Sequence, residues 1–392
     1  VTWRVQLSWP AGKALDPGEL PRWIAELGSA ARERGAEQLA ELATAAVKDP
    51  LSPDKLYDLG YALIDAGAPE IAATVLWRCL ALVGDSEEVV CELVSALESA
   101  LAYRDAFALL EEHAALRARS FLCAYLYTFN AAMCGRLDVV RAQLPQLVPS
   151  APEMEVMRET IASIVERADR VAGATPLDAR DLRGWHYVLT GGLLAHQSPY
   201  GFDEPMHGRY SWLQDSLPRI AFGLDRLVGL VRGLALPCVY APPGRGHEIV
   251  ARAAATRLGV PLAAWPAVGT PAPGLVVIYD LADVDRGELA LLSQRREGQI
   301  VFAHASPWTE DCLIAADITT LLYQSLAAPW GDEPDVTRLA DELAASPGLD
   351  LDELAADEIA RWDALLARTW PPQPGARARL WAGGPVASNR FD

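Results

Sequence analysis

Lysine is nearly missing from this 392-residue chain: only Lys13, Lys48 and Lys55 stand among its 34 basic residues, and none follows position 55. A basic excess is missing as well, since 52 acidic residues set the formal net charge at −18 and the pI near 4.8. A surface of that sign cannot displace counterions from a phosphate backbone, which excludes nucleic acid and an anionic membrane as expected partners. No run of about 18 apolar residues occurs, so no transmembrane helix is expected. The opening VTWRVQLSWPAG lacks the basic n-region and apolar core of a secretory signal. Six cysteines include no Cys-x-x-Cys pair; they read as small buried thiols, and a cytoplasmic location is expected. The preference for arginine over lysine fits a GC-rich bacterial genome.

What is present suffices for more than one core: 51% of the residues are hydrophobic, and the length predicts two or three domains. Residues 56–148 repeat at an interval of 34. Ala72, Ala106 and Val140 share one register, Leu76, Leu110 and Leu144 another, Leu63, Leu97 and Ala131 a third, and Leu59, Leu93 and Tyr127 a fourth. Gly67 and Gly135 mark inter-helix turns two periods apart, with Leu101 in the middle copy. Such a period belongs to stacked helix-turn-helix units, none of which buries its apolar face alone.

The stretch LYDLGYALIDAGAPEIAATVLWRCLALVGD resembles a tetratricopeptide repeat, with Leu59 and Gly60 on its first helix and Ala72 at the helix crossing. Val94 and Thr128 replace the glycine in the later copies. The resemblance implies a helical-repeat domain, expected over residues 17–172 with flanking helices at 17–48 and 153–171, and a groove for a protein or peptide partner. Residues 1–16 read as an extended N-terminal segment.

Residues 173–236 form an expected connecting region. It holds WHYVLTGGLLAH, a short helix or a buried strand broken at Gly191-Gly192, and a long loop, QSPYGFDEPMHGRY. His186, His196 and His207 lie here at separations that preset no metal geometry. Acid/base groups over a ligand and a half-buried seam between domains are the two other readings of the stretch, and the amphipathic rings suit the seam. SWLQDSLPRIAFGLDRLVGLVRGL then reads as an amphipathic helix interrupted early by Pro218.

From 237 to 331, apolar strands alternate with helices, which predicts a small α/β domain with a mostly parallel sheet. CVYAPPGRGHEIVARAAATRLGVPL is similar to the phosphate loop of ATPases of the AAA type, and VVIYDLADVD to their acidic strand. His247 and Glu248 occupy the lysine and hydroxyl positions, and Leu281 the glutamate position, so the nucleotide chemistry implied by the resemblance lacks its cation and its magnesium-holding hydroxyl. The same segment resembles a type I phosphoribosyltransferase core, whose phosphate-cradling loop is replaced here by Asp283, Val284 and Asp285. Strand ends nevertheless gather chemistry at one sheet edge. Gly244, Arg245 and Gly246 are candidates to bind an anion, with Asp283 beside them; Asp280, His247 and His304 are candidates for acid/base work, and Asp280 with Asp283 for magnesium. Ser306 near His304 lacks the Gly-x-Ser-x-Gly elbow of a hydrolase. Residues 332–392 read as C-terminal helices and a Pro/Gly/Arg-rich surface tail, whose arginines have an acidic body to pair with.

The chain is thus expected to be multidomain: an all-α helical repeat array followed by the α/β domain. Its expected role is non-catalytic protein interaction or scaffolding. The alternative is an enzyme or sensor that binds a nucleotide or sugar phosphate at the sheet edge. No cofactor is specified, and a small anionic ligand is the second partner class expected beside a protein or peptide.

Overall fold

A computed structural model describes residues 18–201, 203–350 and 356–390. The extended segment expected at 1–16 lies outside the described residues. Two compact units divide at Ala162, inside a helix rather than at the linker expected after 172.

In the N-terminal unit the 34-residue interval becomes a series of helical hairpins: α1 (Leu20–Glu33) with α2 (Glu37–Lys48), α3 (Pro53–Asp65) with α4 (Pro69–Val83), and α5 (Glu87–Ser99) with α6 (Tyr103–Glu112). A short α7 (Ala114–Arg119) precedes the pair α8 (Phe121–Met133) and α9 (Leu137–Gln143). The first pair, expected to be a flank, has the same build as the others. Every hairpin turn places a residue in the left-handed region: Gly35 (φ 74°), Gly67 (71°), Leu101 (60°) and Gly135 (76°). Of the repeat positions, Ala72, Leu76, Leu59, Leu93, Ala106, Leu110 and Val140 are fully buried. Leu144 is only half-buried, because the helix stops at Gln143 and Leu144–Gln146 form a 3-10 turn around Pro145. Gly60 lets the first helix of its pair lie close on the second, since a Cβ there would sit 2.6 Å from Leu76 Cγ. The helix α10 (Pro152–Arg170) spans the division between the units.

The C-terminal unit is built on a parallel sheet. Its strands are β1 (Leu193–Leu194), β2 (Tyr210–Gln214), β3 (Val239–Tyr240), β4 (Leu262–Ala263), β5 (Gly274–Asp280), β7 (Gln299–Pro307) and β8 (Ile318–Ala327). The order is β1-β8-β7-β5-β3-β4, with β2 also on β8. Leu193 pairs with Ile318 and Tyr210 with Tyr323, so β1 and β2 run in one edge lane, interrupted by an excursion. The Ser198 N–H donates to the Gly208 carbonyl at 2.7 Å and closes that excursion. The connecting region of the sequence therefore belongs to this unit. WHYVLTGGLLAH is both of the things it was read as: α11 (Leu182–Thr190), capped by Gly191 in the left-handed region, and then β1. The sequence reading of Pro218 is corrected, since it stands at the start of α12 (Leu217–Val231), where a missing N–H is harmless, rather than interrupting it.

One face of the sheet (Val277, Tyr279, Ile300, Phe302) packs under α12, α13 (Arg245–Leu258) and α15 (Val336–Ala345). The other (Val276, Ile278, Val301, Ala303) packs on α14 (Arg286–Leu291), the 308–317 connection and Leu380. After α16 (Ala356–Thr369) the tail is more than surface covering: β9 (Gly375–Ala376) pairs antiparallel with β6 (Gln294–Arg295), and Leu380, Ala382 and Val386 are buried. The electrostatic anchor is Asp317, fully enclosed, whose carboxylate meets Arg377 Nη2 at 2.8 Å and also Arg295. No helix among the described residues is long and apolar enough to cross a membrane.

Candidate functional site

At the carboxyl ends of β5, β7 and β8 the chain concentrates buried polar groups, and they divide between the two faces of the sheet because side chains alternate along a strand. His304 of β7 is completely enclosed, and its Nε2 lies 3.1 Å from Asp215 Oδ2. Asp215, between β2 and α12, also accepts the Tyr279 hydroxyl at 3.1 Å and the Ser216 N–H at 2.8 Å, with Arg219 3.5 Å away. The Tyr279 ring stacks on His304 at 5.8 Å and meets Trp330 at 4.5 Å. Burial pushes the Asp215 carboxyl up, but His304, the Ser216 N–H and Arg219 together hold it below the usual carboxylate range. The same burial, reinforced by Asp215, raises the Tyr279 phenol far above its ordinary value.

Asp280 projects to the opposite face. It accepts the Tyr323 hydroxyl at 2.6 and 2.7 Å on its two oxygens and the Ala282 N–H at 3.0 Å. Burial pushes its carboxyl up to about 7 despite those donors. Asp283, at the end of a 3-10 turn (Leu281–Asp283), is exposed. The structure thus brings Asp280 to Tyr323, and His304 to Asp215 and Tyr279.

The loop before α13 is filled by its own histidine. Gly244 adopts φ 141°, and a Cβ there would lie 2.6 Å from His247 Cδ2. The His247 ring is 3% exposed and its Nδ1 accepts the Tyr279 N–H at 3.2 Å, so the side chain at the phosphate-loop lysine position turns back onto β5. Burial lowers its basicity, against the raising influence of Asp283. Gly246 lies against Trp330 and Tyr279, where a Cβ would come within 3.1 and 3.3 Å of their rings. Arg245 Nη1 donates to the Gly331 carbonyl at 2.8 Å, while its Nε and Nη2 have no protein partner. Ser306 Oγ sits 3.3 Å from Thr319 Oγ1. No cluster of His, Cys, Asp or Glu able to hold a metal occurs among the described residues.

Chemically, the His304–Asp215–Tyr279 group is an enclosed hydrogen-bonded set: His304 Nε2 and the Tyr279 hydroxyl both meet the Asp215 carboxylate, His304 Nδ1 is buried without a partner, and none of the three residues is more than 4% exposed. Such a set stiffens the junction of β2, β5 and β7. Sequence reasoning missed Asp215, Tyr279 and Tyr323. Asp215 was legible in principle, as a carboxylate between a strand and the Ser216 N-cap, had β2 been recognised; the tyrosines look like ordinary strand residues.

The N-terminal unit carries the more open concavity. A groove of about 920 Å³ runs between α2 and α3, lined by Glu37, Asp58 and Asp65, by Tyr57 and Tyr61, and by Leu42 among smaller apolar residues. Tyr61 is 51% exposed. No lysine or arginine lines it. Burial, then Asp65, holds the Glu92 carboxyl above its usual range, and Tyr57 is raised by burial and then by Glu92 and Glu88. Negative charge is therefore dense around this groove. The chain matches no family model, no curated protein and no solved structure.

Proposed function

We propose that the chain is a non-catalytic protein-interaction protein of tetratricopeptide-like build, whose N-terminal groove takes a basic segment of a partner protein with apolar anchors. The observation that carries this reading is the groove itself: about 920 Å³, carboxylates and tyrosines in its wall, and an exposed Tyr61 ring beside them. Tyrosine offers a large rigid contact surface at small entropic cost, and carboxylates select cationic partners and speed their encounter. The hairpin interval of 34 residues supports the tetratricopeptide-like build. On the α/β side, the inward-turned His247 supports a scaffolding role in place of phosphate transfer, because the loop interior that a phosphate would use is occupied by an imidazole.

The test is fluorescence anisotropy of two labelled 12-residue peptides, one alternating Arg and Leu, the other Glu and Leu. The basic peptide is expected to bind saturably, to weaken as salt is raised, and to lose at least tenfold in affinity in an Asp58→Lys, Asp65→Lys variant that keeps its helical circular dichroism. Equal binding of both peptides, or an unchanged affinity in the folded variant, overturns the reading.

One observation favours a second reading, a sensor of a small phosphate-bearing ligand: the Nε and Nη2 of Arg245 stand without protein partners at the start of α13. Thermal unfolding with nucleotides and sugar phosphates separates the two. A saturable stabilisation removed by Arg245→Ala would support the sensor.

A further inference from the structure

Two arginines are buried to better than nine-tenths among the described residues, and the fold treats them differently. Arg377, 6% exposed, faces the carboxylate of Asp317. Arg209, 3% exposed, has neutral oxygens only: its Nη1 donates to the Val386 carbonyl at 2.8 Å and to Ser388 Oγ at 2.5 Å. Its guanidinium lies 5.3 Å from the Trp308 ring centroid, and its Nε has no protein partner. Even the largely buried Arg167 has better compensation, donating to the Val188 and Leu189 carbonyls at the negative end of α11. Nothing anionic in the described protein offsets Arg209; burial alone acts on it, depressing its basicity to about 10.

His186 of α11 lies close enough to feel that charge. Burial, then Arg209, pulls its imidazole down to about 4, so it is neutral at pH 7 and carries one ring N–H. Its Nε2 is buried and has no protein partner. Both residues line one cavity of about 30 Å³, walled by Trp185, Trp308, Trp381 and Val386. A single water requires about 10–15 Å³ of such space, so the cavity has room for one halide-sized ion and none for a phosphate ester. An isolated buried cation, a second unpartnered polar nitrogen and an aromatic enclosure converge on one place.

We propose that this cavity binds a small monovalent inorganic anion of chloride or bromide size, paired with the Arg209 guanidinium and accepting from the His186 ring. Burying the cation without a counter-charge is strongly destabilising, and a weakly hydrated anion supplies that charge with a small dehydration penalty. Because Arg209 also holds Val386 and Ser388, the anion would fasten the end of the described chain to α11 and to the loop after β7. The site is independent of the peptide groove, so the failure of either proposal leaves the other standing.

The experiment is thermal unfolding of the full chain at pH 7.5 and fixed ionic strength, with gluconate exchanged for chloride, bromide or sulfate. Chloride and bromide are expected to raise Tm by about 5 °C with single-site saturation, and sulfate to match gluconate. Arg209→Gln should abolish the dependence. Identical melting in all four salts, or a chloride dependence retained by a folded Arg209→Gln variant, overturns the proposal and leaves water as the occupant. Should the variant not fold, crystals of the wild-type protein soaked in bromide decide: an anomalous peak beside the Arg209 Nε supports the site, and its absence sinks it.

Discussion

At the scale of single residues, the protein tolerates local conflict where long-range packing compensates. Leu101 occupies a turn position that glycine fills in three other hairpins, and it does so at φ 60°. A left-handed backbone costs a non-glycine residue about 1–2 kcal/mol, of which glycine would return part through its looser unfolded chain. Leu101 is only half-buried, so Leu101→Gly should stabilise by about 0.5–1 kcal/mol, raising Tm by about 2 °C. A fall in Tm would show that its side-chain packing outweighs the turn. Asp280 poses the electrostatic counterpart. Its folded value near 7 lies above the unfolded one, so the protonated form is favoured by folding. The associated stability is fully present below about pH 4 and is lost as pH rises through 7, on the order of 2–4 kcal/mol in all. Asp280→Asn keeps an acceptor for Tyr323 but does not titrate. Its stability advantage over the wild type, measured by urea unfolding, should therefore grow between pH 5 and pH 8. The lowered His186 and His247 act oppositely, losing stability as pH falls from the ordinary histidine range, but they are common to both proteins and cancel in the difference. A pH-independent difference would mean that Asp280 is ionised throughout that range.

At the scale of elements, what was legible depended on how local the governing interaction is. The hairpins of the N-terminal unit follow from apolar periodicity and from glycine turns spaced within a few residues of the helices they join. Ser86 and Ser120 add N-caps one period apart, each accepting the N–H of the residue three positions on. The first hairpin was missed as a repeat because its turn, at Gly35, precedes the next turn, at Gly67, by slightly less than the 34-residue interval. β2 was missed because YSWLQ leads directly into a helix and pairs only with a strand far along the chain. The tail was underestimated for the same reason: its composition is that of a loop, and its anchor is an ion pair 60 positions away in sequence. Removing one partner of a buried pair costs about 3–5 kcal/mol, because the other charge stays buried. Arg377→Ala should lower stability by about 3 kcal/mol, Arg295 retaining part of the compensation, and should expose the segment after β9 to proteolysis. Unchanged stability with a protected tail would show that Leu380 and Val386 hold it without the charge.

At the scale of the whole molecule, the acidic balance that excludes phosphate backbones acquires a location, since carboxylates gather along the α2–α3 groove while the buried arginines lie within the α/β unit. By itself the sequence determined the helical hairpins with their 34-residue interval and the alternation of apolar strands with helices that makes a parallel sheet. It also determined that the phosphate-loop lysine is a histidine. Those properties reside in periodicities and residue identities that act over a few turns of chain. Only the tertiary structure decided that His247 turns inward, that His304 meets Asp215 across 89 positions, that Asp280 faces the other side of the sheet, and that Arg209 is buried without a carboxylate. Each depends on which strand lies beside which and on which face a side chain emerges. One residue of register reverses that face, and strand pairing across long separations leaves no periodic trace in the chain.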